Sequence, residues 1–505
     1  DGYVYVDKTD LLYRLTHESS IYFLSRPRRF GKSLLVSTLK NYFEGRKDLF
    51  RGLAIEQLET EWAVYPVFHV DFNSTNYTNP DELEKKINFH ISEWEKRYGL
   101  PCRENELGYG DRFVEVLRAA HERTGRRTVV LIDEYDKPIL DVLDVDSTLE
   151  NRHRNVLKAF YSVFKAADSH LQFVLLTGVT KFSQVSVFSG FNQPKDISMD
   201  ARYEALCGIT QEELEHYFAE PIARMAEEYR CTVEKMKLRL KAQYDGYHFS
   251  KRLTDIYNPF SLLNAMDSLS LDDYWFRSGT PTYLIRLLSH FDENLNELTN
   301  KYYSPEEFID YKADVEKPLP MIYQSGYLTV KDYDKEFNTF LLDFPNNEVK
   351  NGFLTMLASS YLKPSEETGS WVRSVVTALR RGELDKVREL FTSFLAGIPY
   401  TMRRKENEAE RERYFQYTFY LIMRLISVYT VYVEKPQSQG RVDCVVETPM
   451  QIYVFEFKLD GTAAEALQQI HAKGYVREYS ADPRRVYQIG AAFSSETGTI
   501  SDWRV

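Results

Sequence analysis

Apolar residues along this 505-residue chain fall into short dense runs separated by longer amphipathic spacers. Runs near 20–24, 66–72, 129–133 and 173–177 are too short for helices and read as strands buried on both faces. The second, Val67-Phe68-His69-Val70-Asp71, ends in an acid, as strands feeding an active edge often do. Spacers at 81–97 and 150–166 repeat their apolar positions with a helical period. Crossovers of that length join parallel strands, so the pattern predicts an α/β core over 1–235 with a largely parallel sheet. Helical pattern then dominates Gln211 to Tyr229, Val233 to Gln243 and Phe260 to Asp267, predicting a helical or winged-helix-like lid over 236–300. A strand pair around Tyr327-Leu328-Thr329-Val330 and Phe340-Leu341-Leu342, mixed with helices, makes 301–395 a connector. Over 396–505, an apolar helix, two strands with a tight turn and a further helix predict a C-terminal α/β domain.

The first strand runs into chemistry. Ile21-Tyr22-Phe23-Leu24 is followed by Ser25-Arg26-Pro27-Arg28-Arg29-Phe30-Gly31-Lys32-Ser33 and then an amphipathic helix. Strand, loop, Gly-Lys-Ser and helix is the setting a phosphate-binding P-loop requires. Backbone N–H groups at the helix start cradle phosphates, Lys32 reaches the β- and γ-phosphates, and Ser33 ligates Mg²⁺. Arg26 stands where the common pattern has its first Gly, so a bulkier side chain must be accommodated. Arg28 and Arg29 are candidate extra phosphate contacts; a basic patch for nucleic acid and a solvated loop are the alternatives. The apolar run Thr128 to Ile132 ends in Asp133 and Glu134, as a buried parallel strand with a metal-holding acid should. Asp133 would hold Mg²⁺ and Glu134 would polarise the attacking water. The run from Phe173 ends in polar residues, placing Thr177 or Thr180 to touch the γ-phosphate or that water.

A second constellation lies near the C-terminus. Gly440-Arg441-Val442-Asp443 precedes a strand, a turn at Pro449-Met450 and a second strand ending in Glu456-Phe457-Lys458. Folding the hairpin about that turn sets Thr448 opposite Gln451 and Asp443 opposite Glu456. Side chains alternate along a strand, so Glu456 and Lys458 share one face and Tyr453, Phe455 and Phe457 the other. Opposed residues bring their Cβ atoms to roughly 4.5–5.5 Å. Two carboxylates that close repel unless a cation lies between them, and Mg²⁺ suits an all-oxygen pair. Lys458 beside them would stabilise developing negative charge or orient a water. The plain alternative is a surface hairpin with ordinary charges. Downstream, Gln469 and Lys473 lie one turn apart on a predicted helix.

This arrangement resembles the PD-(D/E)XK nuclease superfamily. The resemblance implies a Mg²⁺ site, with Mn²⁺ as a substitute, at Asp443 and Glu456, a supporting metal ligand at Glu412 on the upstream helix, and Gln469 near the scissile phosphate. Across the whole chain, Tyr5-Val6-Asp7-Lys8-Thr9, the Arg26 to Ser33 loop, Asp133-Glu134-Tyr135-Asp136-Lys137-Pro138, Thr177-Gly178-Val179-Thr180-Lys181, Tyr244-Asp245-Gly246-Tyr247, Tyr257-Asn258-Pro259-Phe260 and Trp275-Phe276-Arg277-Ser278-Gly279 resemble the bacterial AAA-ATPase-like family with such a C-terminal domain. That implies ATP as cofactor, a nucleic-acid partner with DNA favoured over RNA, and an Arg26-bearing loop as a family trait. Self-association is compatible with ATPases of this shape. Three function classes are open: a nuclease controlled by nucleotide state, a signalling (STAND-like) ATPase whose nuclease-like domain only binds nucleic acid or a partner, and a nuclease on a nucleotide-locked scaffold.

Composition narrows this modestly. Hydrophobic residues at 43% and charged residues at 28% are those of a globular protein. A net charge of −11 argues against a protein that coats nucleic acid non-specifically, so binding must use a local basic groove. Candidate tracts are Arg26 to Arg29, Arg123 to Arg127, Arg403-Arg404-Lys405 and Arg484-Arg485, the second and last of which read as solvated loops. No apolar run approaches the length of a membrane span, so no membrane partner is expected. Cys102, Cys207, Cys231 and Cys444 form no CxxC pair, arguing against zinc and disulfides and for a reducing cytoplasm. His69, His248 and His471 lack metal-ligand spacing.

Overall fold

The computed structural model describes residues 4–104, 106–143, 145–182, 194–278, 298–299, 301–309, 318–353, 368–396, 430–437, 440–448, 450–480 and 482–505. They belong to two compact units, 1–350 and 351–505. The boundary falls inside the 301–395 stretch expected as a connector, so the part up to residue 350 belongs with the first unit.

In the first unit, α1 (Thr9–Glu18) leads into β1 (Ile21–Ser25), and α2 (Lys32–Phe43) begins directly after the loop. β2 (Val67–Asp71), α3 (Glu82–Arg97), α4 (Tyr109–Thr124), β3 (Thr128–Asp133), α5 (Lys137–Leu140), α6 (Ser147–Ala166), β4 (Leu171–Gly178) and the short β5 (Lys195–Asp196) follow. The strands pair in parallel in the order β2-β3-β4-β1-β5. β3 is buried from end to end, which explains why its sequence is continuously apolar rather than alternating. The order inserts β4 between the loop-bearing strand and the acid-ended strand, so three chemical elements meet at the carboxyl ends of adjacent parallel strands, where open α/β sheets bind ligands.

α4 was not singled out by its sequence pattern, and it contributes the most heavily committed ion pair of this layer. The Arg112 guanidinium donates two 2.8 Å bonds to Glu95 of α3 and others to Asn88 and Ser92. Both charged partners are almost fully buried. Arg112→Met is therefore expected to destabilise the first unit by about 3–5 kcal/mol, because Glu95 is left buried without its cation. A shift in the urea midpoint of that unit's transition measures it, and a shift below about 1 kcal/mol would show that the pair is solvated.

Beyond the sheet come α7 (Gln211–Tyr217), α8 (Ala219–Glu228), α9 (Val233–Tyr244) and α10 (Pro259–Ser268), with a two-stranded ribbon of β6 (Ile209–Thr210) and β7 (Ile256–Tyr257). Their shared core includes Leu214, Ile222, Met225, Leu240 and Leu262. α11 (Tyr274–Arg277), β8 (Lys301–Tyr303), α12 (Leu319–Gln324), β9 (Thr329–Asp334) and β10 (Thr339–Asp343) complete the unit, the strands forming an antiparallel sheet in the order β8-β10-β9.

The second unit contains α13 (Thr368–Arg381), α14 (Leu384–Ala396), β11 (Thr430–Gln437), β12 (Gly440–Glu447), β13 (Gln451–Leu459), α15 (Ala463–Lys473), β14 (Arg485–Phe493) and β15 (Ile500–Arg504). Its sheet runs β11-β12-β13-β14-β15, with β13 and β14 parallel across the α15 crossover. Alternation along β13 sends Tyr453, Phe455 and Phe457 against Leu379, Val387 and Phe391, while Ile452 and Val454 pack on Ile470 and Tyr475. Thr462 and Glu465 close a capping box at the start of α15, fixing where that helix begins. A side chain at Gly490 would strike the Ala463 carbonyl, so the helix start can approach β14 this closely only over a glycine. Gly490 is in register with Glu456, so this contact seats α15 beside the acid.

Among the described residues no helix is long and apolar enough to cross a membrane, and the four cysteines are free thiols.

Candidate active sites

The loop of Arg26 to Ser33 takes left-handed backbone at Arg29 (φ +65°) and at Gly31 (φ +90°), the residue from which α2 starts. At Gly31 there is open space for a side chain but a backbone that favours glycine, so this position is set by conformation, not crowding. Lys32 is only 4% exposed. Its ammonium donates to the carbonyls of Arg26 (3.1 Å) and Pro27 (3.2 Å) and lies 3.6 Å from Glu134 Oε1. Ser33 is exposed in the first turn of α2. Asp133 is buried, and its Oδ1 accepts from Thr177 Oγ1 (2.5 Å) and from the Glu134 N–H (3.1 Å). Glu134 adopts φ +55°, a strained position for a residue with a side chain. Lys32, Ser33, Asp133, Glu134 and Thr177 thus come together at the carboxyl ends of β1, β3 and β4.

Arg26 and Phe30 serve the loop differently from expectation. The Arg26 guanidinium is 1% exposed, donates to the carbonyls of Ser25, Ser198 and Tyr203, and lies 4.1 Å above the Phe249 ring. It braces the loop from behind, and burial lowers its pKa. Phe30 packs edge-on against Tyr247 and Phe249. Arg28 is half-buried and its carbonyl accepts from the Trp275 indole (3.0 Å). Arg29 is exposed, 4.9 Å over the Phe260 ring. Of the four expected loop contacts at Arg26, Arg28, Arg29 and Phe30, the exposed Arg29 is the best placed to meet a ligand.

Several motifs outside the loop resolve as braces. Asp7 accepts from the Thr9 and Ala54 N–H groups, and Lys8 pairs with Glu213 at 2.6 Å. Gly246 has φ +85°, and any side chain there would collide with the Pro345 carbonyl. Asp136 is the residue that sequence reasoning passed over. It is fully buried, and its Oδ2 accepts from the N–H groups of Val179 (3.0 Å) and Thr180 (2.6 Å). Burial, and after it the Glu134 carboxylate, raises its pKa. The third acid in Asp133-Glu134-Tyr135-Asp136 was the available signal.

In the second unit the hairpin folds in the register read from the sequence. Cys444 faces Phe455 and Glu447 faces Ile452, while the Thr448 N–H donates to the Gln451 carbonyl at the turn. Asp443 and Glu456 consequently meet: the Asp443 N–H donates to Glu456 Oε2 (3.4 Å), and Asp443 Oδ2 accepts from the Phe457 N–H (2.8 Å). Lys458 Nζ donates to Gln469 Oε1 (2.7 Å), and the same Gln469 amide donates through Nε2 to Glu456 Oε1. Gln469 is therefore the clasp that holds acid and lysine side by side. Burial, then the Asp443 carboxylate, raises the Glu456 pKa well above the usual carboxylate range, with Lys458 opposing. Glu456 itself is 1% exposed.

Two opposed carboxylates with that charge stress fit a hard divalent cation better than any neutral occupant. Among the described residues no group of three or more His, Cys, Asp or Glu side chains stands at metal-holding geometry, so within them the donor set is these two acids. Glu412 and the Arg403-Arg404-Lys405 tract lie outside the described residues. Arg484 is held by Glu447 (2.8 Å) and Asp482 (2.7 Å), which fits its reading as a loop residue and not as part of a nucleic-acid groove. Gln469→Ala is expected to lower metal affinity or cleavage roughly 10- to 100-fold, as loss of an orienting partner does. Titrating Mg²⁺ against cleavage checks this; an unchanged titration would reduce the clasp to packing.

Comparison with known proteins places each of the two regions in a domain family. Residues 1–188 match the family model described as Predicted AAA-ATPase. Residues 410–503 match the PD-(D/E)XK nuclease superfamily. A curated relative from Azotobacter chroococcum mcd 1, called "Uncharacterized protein in vnfD 5'region", is 35% identical over 512 residues, covering 99% of this chain and 95% of its own length. A match of that length spans both units, and the chain belongs to the AAA-ATPase-like family, with a PD-(D/E)XK nuclease superfamily domain in its C-terminal part.

Proposed function

We propose that this protein binds and hydrolyses ATP, and that its nucleotide state controls a Mg²⁺-dependent nuclease in its C-terminal unit that cuts nucleic acid, DNA in preference to RNA. The observation that carries the reading is the clasp of Gln469 on Glu456 and Lys458, with Asp443 facing them. A binding surface needs no such arrangement of two crowded acids and a lysine.

Mg²⁺ held by Ser33 and Asp133, and a divalent ion held by Asp443 and Glu456, would neutralise phosphoryl charge and, at the second site, supply an activated water. The chain's own residues do the rest. Lys32 directs its ammonium to the β- and γ-phosphates, exchanging its contacts with Glu134 and the loop carbonyls for phosphate oxygens. Glu134 so released polarises the attacking water, and Thr177 keeps Asp133 oriented. At the nuclease site Lys458 faces the developing negative charge, positioned by Gln469 so that little reorganisation is needed.

The test is cleavage of mixed DNA and RNA substrates by the full chain with Mg²⁺ or Mn²⁺, with and without ATP. Cleavage that depends on the metal and changes with ATP supports the reading. Intact ATP hydrolysis with no cleavage under either metal would replace it with the signalling ATPase. Metal-dependent cleavage indifferent to ATP would leave the nucleotide as a scaffold.

A further inference from the structure

We infer that Asp136 is a positioning residue for ATP hydrolysis, holding the exit of β4 in the place from which Thr177 and the phosphate loop are set. This deepens the ATPase part of the reading above and rests on it.

The exit of β4 is where the site's components are tied together. The Gly178 carbonyl accepts from the Arg26 N–H (3.1 Å), and the Val179 carbonyl accepts from Ser25 Oγ (2.5 Å), so the phosphate loop hangs from these two residues. One residue earlier, Thr177 Oγ1 bonds Asp133, and the Thr177 carbonyl accepts from the Tyr135 N–H (3.0 Å). On the far side, the Lys181 N–H donates to Gln324 of α12 (2.8 Å), and the Tyr135 hydroxyl donates to the Thr180 carbonyl (2.7 Å). Asp136 completes this segment with one oxygen that takes two successive backbone N–H groups, of Val179 and Thr180.

Its other oxygen makes the arrangement informative. Oδ1 is buried without a hydrogen-bond partner among the described residues. It lies against Gly178, where an added Cβ would approach it to 2.6 Å. A buried carboxylate with an idle oxygen is costly and would be replaced by an amide or an apolar residue if it served packing alone. Here one carboxyl oxygen grips two successive N–H groups, which fixes both peptide units against the same side chain. Asp136 lies two residues from Glu134, so the turn bearing the water-polarising acid and the strand bearing Thr177 are locked through one side chain.

Asp136→Asn in the full chain tests this beside Gly178→Ala, whose added Cβ would press on that oxygen and, as closely, on the Tyr135 ring that also holds the β4 exit. Both are expected to lower kcat for ATP hydrolysis roughly 10- to 100-fold, as loss of an orienting partner does. KM for ATP should stay within about threefold, because loss of transition-state positioning alone leaves ground-state binding in place. The double variant should lose less than the product of the two single losses, since both loosen the same β4 exit, held by Asp136 and by Tyr135. A folded Asp136→Asn with unchanged kcat overturns the inference. So does a loss confined to KM, or a double variant whose losses multiply. A wild-type chain that binds ATP without hydrolysing it overturns the ATPase reading together with this inference, and is told apart by the wild-type control. Should Asp136→Asn lose its cooperative unfolding transition, Gly178→Ala decides by the same kcat and KM criteria.

Discussion

Glu456→Gln is expected to lower nucleic-acid cleavage by roughly 10³-fold or more, about 4 kcal/mol of barrier, with little effect on ATP hydrolysis. The substitution is nearly isosteric and keeps an oxygen for the Gln469 amide, so the hairpin should persist while the paired negative charge is lost. Metal binding gives a second readout with a definite sign. The folded chain holds Glu456 protonated to higher pH than the unfolded chain does, because burial and Asp443 raise its pKa. Between the ordinary carboxylate range and that raised value the folded state carries the extra proton, so stability of the second unit falls as pH rises through this window. Bound Mg²⁺ offsets the loss. Its effect on the melting temperature should therefore grow from about pH 5 to about pH 8 in the wild type and vanish in Glu456→Gln. A magnesium effect retained in full by the variant would move the metal away from this acid.

Lys32→Ala should cut ATP hydrolysis by roughly 10²- to 10³-fold, the usual scale for removing a preorganised charge at a reacting phosphate. The structure adds a reason for the size. Lys32 is buried with its ammonium shared among two loop carbonyls and Glu134, so alanine leaves those acceptors unpaired as well as removing the phosphate contact. If nucleotide state governs cleavage, the same variant should cut at one rate with or without ATP. Comparing cleavage rates at saturating and zero ATP measures the coupling directly. A Lys32→Ala chain that hydrolyses no ATP yet still changes its cleavage rate with ATP would place control in nucleotide binding and not in turnover. Together with Glu456→Gln, this separates the two activities within one polypeptide.

The Asp443–Glu456 pairing was legible in the sequence because a tight turn fixes register, and register fixes every opposed pair on a two-stranded ladder. The strands of the first unit were legible for a related reason: a strand covered on both faces must be apolar throughout, so β3 and β4 stand out with their polar ends attached. Arg26 was not legible in this way. Its sequence neighbours suggested a phosphate contact, whereas Ser198, Tyr203 and Phe249, far along the chain, give its guanidinium a buried seat. Phe30 was taken inward by Tyr247 and Phe249 for the same reason.

The sequence by itself determined the two chemistries, since Gly-Lys-Ser after a strand, acids ending an apolar run, and a hairpin with Asp, Glu and Lys are all local patterns with local geometry. Only the tertiary structure decided which neighbours are shared. Strand order put β4 between β1 and β3, so Thr177 could bond Asp133 and Asp136 could take hold of the β4 exit. The α15 crossover brought Gln469 onto Glu456 and Lys458. Such contacts join residues distant in sequence through hydrogen bonds a few ångströms long, and no periodicity or spacing along the chain encodes which distant partner fills that distance.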